Sequence, residues 1–131
     1  MYYIYIVRCR GGSLYTGIAA DIRRRLQQHL SRSTACAKYT RAHPVEALEA
    51  LWQTEDHTAA ARLEALIKTL PRQQKLALIA QLQTPYEIFG ERLQGYSYQP
   101  VIPVSLDRIL HPQACAPLSA DAAAFVYTIS E

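Results

Sequence analysis

Five side chains in the first half of this chain carry groups able to do chemistry: Tyr5, Tyr15, Arg25, His29 and Glu64. Two phenols and an imidazole can move a proton. The imidazole is suited to that near its ordinary pKa of ~6.5, whereas a phenol near ~10 needs help at neutral pH. A guanidinium keeps its charge and pairs bidentately with an oxyanion. A carboxylate offers oxygen to a hard cation. Taken singly, each residue also has a plainer reading. A strand tyrosine is commonly an edge of the core, Arg25 a solvated helix residue and His29 a satisfied structural histidine. Glu64 could be a boundary charge reaching for Lys68 four residues later. The chemistry depends on the elements that carry these groups.

Tyr2 to Cys9 is rich in Tyr, Ile and Val and reads as a strand. Alternation sends Tyr3, Tyr5 and Val7 to one side and Ile4, Ile6 and Arg8 to the other. Arg10-Gly11-Gly12-Ser13 is a turn, and Leu14 to Gly17 begins the returning strand of a β-hairpin. Cross-strand partners share a face, so Tyr5 and Tyr15 lie on one side only if the loop has an odd number of residues. The expected register sets Val7 opposite Tyr15 and Tyr5 opposite Gly17.

Asp21 is a good N-cap for a helix running to about Leu30, with Ile22 and Leu26 as its buried stripe. Arg25 and His29, at i and i+4, share an adjoining face, while Arg23 and Arg24 face solvent. Ser31 to Pro44 reads as a loop and Ala47 to Thr54 as a third strand. A second helix starts near Asp56 or Thr58. Leu63, Leu66, Ile67 and Leu70 form its stripe, and Glu64 sits at the stripe's edge. Pro71 suits the first turn of a third helix to about Leu82, with Leu76, Ile79 and Ala80 inward. Beyond Gln83, five of the seven prolines crowd the chain. There, only short strands at Gln99–Leu106 and Phe125–Ser130 suggest themselves.

A chain of 131 residues, 19% of them charged, fits one soluble domain with a real core. No apolar run nears the ~20 residues that span a bilayer. Arg8 and Arg10 interrupt the first apolar stretch too early for a signal peptide, so a cytoplasmic protein is expected. Cys9, Cys36 and Cys115 are odd in number and widely spaced, the pattern of isolated reduced thiols. Residues 1–82 carry 12 Lys+Arg against 6 Asp+Glu (+6), and residues 83–131 carry 2 against 5 (−3), giving the net +3. A basic first part suits an anionic partner without identifying nucleic acid.

The combined layout is more specific than any of its parts. Tyr3-Ile4-Tyr5, nine residues, Tyr15-Thr16-Gly17, then Arg25 and His29, closely resembles the GIY-YIG nuclease superfamily. The best match is to its small stand-alone bacterial proteins. These also share the Ala37 to Arg41 segment, a glutamate helix ending in Ile-Lys (Glu64 to Lys68) and a following helix like Pro71 to Lys75. The resemblance covers residues 2 to about 82. Tyr3 stands where the family name has glycine, and Thr16 where it has isoleucine. Ile18 stands where the DNA-repair members carry a lysine, so Lys38 or Arg41 would supply that cation.

The resemblance implies an α/β (α+β) fold: a small three-stranded antiparallel sheet flanked by helices over 1–82, with 83–131 as a C-terminal extension. It implies phosphodiester hydrolysis by an activated water with one divalent cation, Mg²⁺ or Mn²⁺, per site. Glu64 would be the metal ligand and Arg25 the phosphate partner. Tyr5, Tyr15 and His29 compete as general base, with Tyr5 and His29 expected to share that work while Tyr15 positions the water. Arg8, Lys38, Tyr39, Arg41 and Lys68 are candidate substrate contacts. DNA is the expected partner. Single strands are favoured because a compact site with no evident groove-reading helix has little means of reading duplex sequence. Two rivals are a non-catalytic nucleic-acid-binding module on the same fold and an unrelated structural role. In the extension, Tyr86, Phe89, Arg92, Tyr96 and Tyr98 could stack on unpaired bases, or could simply pack the appendage onto the core.

Overall fold

A computed structural model of the chain describes residues 1–31, 38–80, 85–102 and 105–111. Its centre is an antiparallel sheet in the order β2-β1-β3-β4, built from β1 (Tyr2–Cys9), β2 (Leu14–Ala19), β3 (Val45–Thr54) and β4 (Gln99–Pro100). The expected three-stranded sheet thus gains a fourth strand from the extension, two residues long and on the edge, where Pro100 is tolerated.

The hairpin register is the expected one. Tyr5 pairs with Gly17 and Val7 with Tyr15, and residues 9–13, an odd number, separate the last pair, Arg8 and Leu14. Gly11 and Gly12 both turn the chain at φ 91°, a conformation that favours glycine. Alternation along β1 then divides the molecule. Ile4 and Ile6 enter one core with Ala50, Trp52, Leu63 and Ile67, while Tyr3, Tyr5 and Val7 enter a second with Ile22, Leu26 and Leu51.

Each face has its helix. α1 (Ile22–Ser31) buries Ile22, Leu26 and His29 on the second core, and Asp21 Oδ1 caps it by accepting from the Arg24 amide at 3.1 Å. α3 (His57–Lys68) buries Ala59, Ala60, Leu63 and Ile67 on the first core, capped by Asp56 Oδ1 on the Ala59 amide at 2.7 Å. α4 (Arg72–Ala80) follows, but its buried residue is Leu78, with Ile79 half-buried and Leu76 and Ala80 exposed. Ile79 therefore packs against the first core as expected, whereas Leu76 and Ala80 are corrected to the exposed side and Leu78 takes the inward position.

Two further expectations change. The loop assigned to Ser31–Pro44 contains a short helix, α2 (Lys38–Ala42), anchored by the fully buried Thr40. The strand assigned to Gln99–Leu106 stops at Pro100. Ser105 instead caps a helix, α6 (Leu106–Leu110), by accepting from the Arg108 amide. The region Phe125–Ser130 lies outside the described residues.

The described residues beyond 84 cross from one face of the sheet to the other. α5 (Pro85–Phe89) and the 3-10 turn Gly90–Leu93 seal the first core with Phe89, Leu93 and Tyr98. β4 passes along the edge of β3, and Val101 donates its amide to Leu51 O at 2.8 Å. Val101, Leu106, Ile109 and Leu110 then cover the second core. The extension's aromatics take packing roles. Tyr98 Oη donates to Ala59 O at 2.6 Å, Tyr86 Oη donates to Tyr96 O at 2.8 Å, and the Arg92 guanidinium lies 5.5 Å over the Phe89 ring.

Candidate active site

Tyr5 sits in the middle of β1 and points across its neighbour β2. That path is open because the residue opposite is Gly17. A Cβ there would overlap Tyr5 Oη and lie 2.6 Å from its Cζ. The glycine of the Tyr15-Thr16-Gly17 motif is thus a clearance for the phenol.

The phenol ends on α1. Tyr5 Oη lies 2.7 Å from His29 Nε2, and His29 Nδ1 lies 2.6 Å from Thr40 Oγ1 of α2. All three residues are fully buried. The Arg25 side chain also hydrogen-bonds Tyr5 from one turn earlier on α1, and itself donates from Nη1 to Gln28 Oε1 at 3.0 Å. Arg25 and His29 therefore meet at one oxygen, as their spacing on the helix predicts. Tyr15, two positions along the strand from Gly17, places its ring edge-on to His29 at 5.8 Å between centroids.

Burial decides the charge state. Loss of solvent raises Tyr5 to about 12, an effect that Arg25 opposes and that Tyr15 and Glu64 reinforce. Loss of solvent, together with the positive charge of Arg25, lowers His29 to about 4. At neutral pH the pair is a protonated phenol beside a neutral imidazole. Arg25 donates to the phenol oxygen. That leaves the phenol hydrogen free for Nε2 once Nδ1–H is on Thr40.

Glu64 arrives from the opposite side. Its helix packs on the Ile4/Ile6 face, the reverse of the face that carries Tyr5. The carboxylate still acts electrostatically on the Tyr5 phenol, because α3 lies against β2, the edge strand that the phenol crosses. The acid thus reaches Tyr5 around the rim of the sheet, not by stacking α3 on the tyrosine face. It is half-buried and pairs with Lys68 Nζ at 3.3 Å.

Among the described residues no three His, Cys, Asp or Glu side chains gather to hold a metal ion. One half-buried carboxylate near a phenol does fit a hydrated cation of the Mg²⁺ kind, which keeps most of its waters and takes one or two protein oxygens. It does not fit a caged ion.

The other candidate contacts divide. Tyr39 stacks on Tyr15 at 5.8 Å and 12°, and Lys38 and Arg41 lie exposed on the same short helix. Arg8 is elsewhere: its Nη1 pairs with Glu49 Oε2 of β3 at 3.1 Å, on the sheet face away from Tyr5. Two residues of the assembly were not among the sequence candidates. Gly17 lay inside a motif but carried no functional group. Thr40 lay inside the Ala37 to Arg41 segment, where a buried hydroxyl aimed at a histidine has no periodic signature.

Comparisons with known proteins show which family the sequence belongs to. The model of the GIY-YIG catalytic domain matches residues 1–77. A UPF0213 protein of Xanthomonas axonopodis pv. citri is 45% identical over 87 residues, which is 66% of this chain and 83% of that one. A UPF0213 protein of Staphylococcus saprophyticus is 43% identical over 82 residues, covering 61% and 95%. The solution NMR structure of the UPF0213 protein from Bacillus halodurans is 38% identical. It covers 69% of this chain and 95% of that one, with a TM-score of 0.42. Thr16, where the family name has isoleucine, buries its hydroxyl without a hydrogen-bond partner among the described residues. With the hairpin, α1 and the Glu64 helix all inside the matched segment, the chain belongs to the GIY-YIG catalytic-domain family.

Proposed function

We propose that the protein is a divalent-metal-dependent endonuclease that hydrolyses DNA phosphodiester bonds and prefers single strands. The observation that carries this reading is the Tyr5 phenol. It is bound to His29 Nε2 at 2.7 Å and to Arg25, and lies within electrostatic reach of Glu64. A surface that only grips nucleic acid has no use for a buried phenol–imidazole pair with its proton acceptor fixed by Thr40.

In this reading Tyr5 and His29 act as one base. Tyr5 passes its proton to His29 Nε2 while its oxygen takes a proton from water, so the phenolate never accumulates. Thr40 holds the imidazole in the tautomer that leaves Nε2 open, as an oriented second group commonly does for a working histidine. Arg25 steadies the phenol oxygen and offers its remaining donors to the phosphate. Tyr15, edge-on to His29, positions the water. Glu64 would hold the cation, which supplies charge stabilisation at the leaving oxygen. Lys38, Tyr39, Arg41 and Lys68 border the site as substrate contacts. Arg8, committed to Glu49, contributes little.

The test is incubation with Mg²⁺ or Mn²⁺ and labelled single- and double-stranded oligonucleotides, with Glu64→Gln alongside. Metal-dependent cutting of the single strand by the parent, lost in the variant, is expected. Metal-independent binding without any cutting would establish the binding module instead, and faster cutting of the duplex would remove the strand preference.

A further inference from the structure

A column of aromatic rings runs from the buried site to the surface. His29 meets the edge of Tyr15, Tyr15 stacks on Tyr39, and Tyr39 stacks on His43 at 4.2 Å and 13°. The outer two rings are exposed, Tyr39 by 37%. They are also fixed. His43 Nδ1 lies 3.0 Å from Tyr39 O, and the His43 amide donates to that same oxygen at 2.9 Å.

Seating α2 on the site explains part of this arrangement. Thr40 reaches His29, and Tyr39 covers Tyr15. Neither contact needs His43, which lies beyond Tyr39 at the solvent end. Two parallel rings already held in a stack lose little freedom when a third joins them. A flat apolar face with exposed Lys38 and Arg41 on the same short helix presents a π-surface beside positive charge. Stacking of bases on aromatic rings within a basic surface is how single strands are held without sequence reading.

We infer that Tyr39 and His43 form a stacking shelf for one unpaired nucleobase next to the phosphate to be cut. The inference rests on the nuclease reading and deepens it by saying what part of the substrate is recognised. A base inside a duplex has both faces covered by its neighbours and cannot join the column unless it is first unstacked. The shelf accordingly selects single strands, frayed ends and bulges by the availability of a bare base.

Binding is measured by fluorescence polarisation in the Glu64→Gln background, so that no cleavage intervenes. Two labelled chains of equal length are compared: oligo(dT), and an abasic phosphodiester chain with the same charge. His43→Ala is expected to weaken oligo(dT) about tenfold, within the range that loss of one stacked base produces. It should leave the abasic chain unaffected and the melting temperature unchanged. Equal oligo(dT) affinity for His43→Ala and parent overturns the shelf and leaves the nuclease reading standing. So does an equal loss on both chains, which would assign His43 to the backbone. If the parent cuts labelled DNA yet binds both chains equally, the shelf alone falls. If it neither binds nor cuts, both readings fall.

Discussion

The two sides of the Tyr5 phenol are built in opposite ways. On the α1 side, His29 and Thr40 are fully buried and joined by contacts of 2.7 and 2.6 Å. On the α3 side stands one half-buried carboxylate held by an exposed lysine at 3.3 Å. The first side is fixed in advance, and loss of solvent keeps its phenol and imidazole uncharged at rest. The second is open, reachable by water and cations, and occupied by a pair of the kind that contributes little to stability. The hydrolysis proposed above would use both: a rigid place for the proton, and a replaceable partner for the charge that substrate and cation would bring.

That contrast can be broken by one methyl group. Gly17→Ala puts a Cβ into the space of the Tyr5 phenol, which must swing off His29. Metal-dependent cutting is expected to drop about a thousandfold, the scale of losing a positioned general base. The folded state should weaken as well, by about 1–3 kcal/mol for overpacking a buried site. Full activity in Gly17→Ala would mean that the phenol position is not fixed in advance.

The buried side also carries a pH signature. His29 binds a proton below ~6.5 when unfolded but only below about 4 when folded. Between those values the unfolded chain holds more protons, so stability is lost as pH falls through that window. The loss is about 3 kcal/mol from this residue. Urea titrations at pH 6.5 and 4.5 should show most of it, and His29→Gln should remove that portion of the slope. Activity should likewise hold through pH 6.5 on its acid side. A limb titrating at 6.5 would contradict the burial assigned to His29.

The smallest effect belongs to the open side. Lys68→Met frees Glu64 from its pair, and calorimetry should find Mn²⁺ bound about threefold more tightly at low salt, in keeping with an exposed ion pair. Unchanged affinity would place the metal away from Glu64.

Much of the buried side was legible from the sequence because it rests on strong local rules. Strand alternation, the odd loop, the Asp21 and Asp56 caps and the i, i+4 placement of Arg25 and His29 fixed which groups could meet. The misses share a different cause. α2 is five residues long and is anchored by a threonine, not by an apolar stripe. α4 has weak amphipathy, so Leu76 and Leu78 compete for the inward position. β4 has two residues, one of them proline, and exists because β3 offers it an edge. The approach of Glu64 around the rim of β2 depends on how α3 packs, a tertiary fact that no local pattern encodes.

The hairpin loop deserves a final consequence. None of residues 9–13 carries a group of the site around Tyr5, yet their number determines on which face Tyr15 emerges. Lengthening or shortening that loop by one residue would send Tyr15 to the α3 side, while a change of two would restore it. Cys9 is fixed by its place in the second core and the two glycines by their turn, and the length of the segment is constrained in parity. An insertion of two residues there keeps Tyr15 on the side of His29, and a single one removes it from that side as surely as a deletion would.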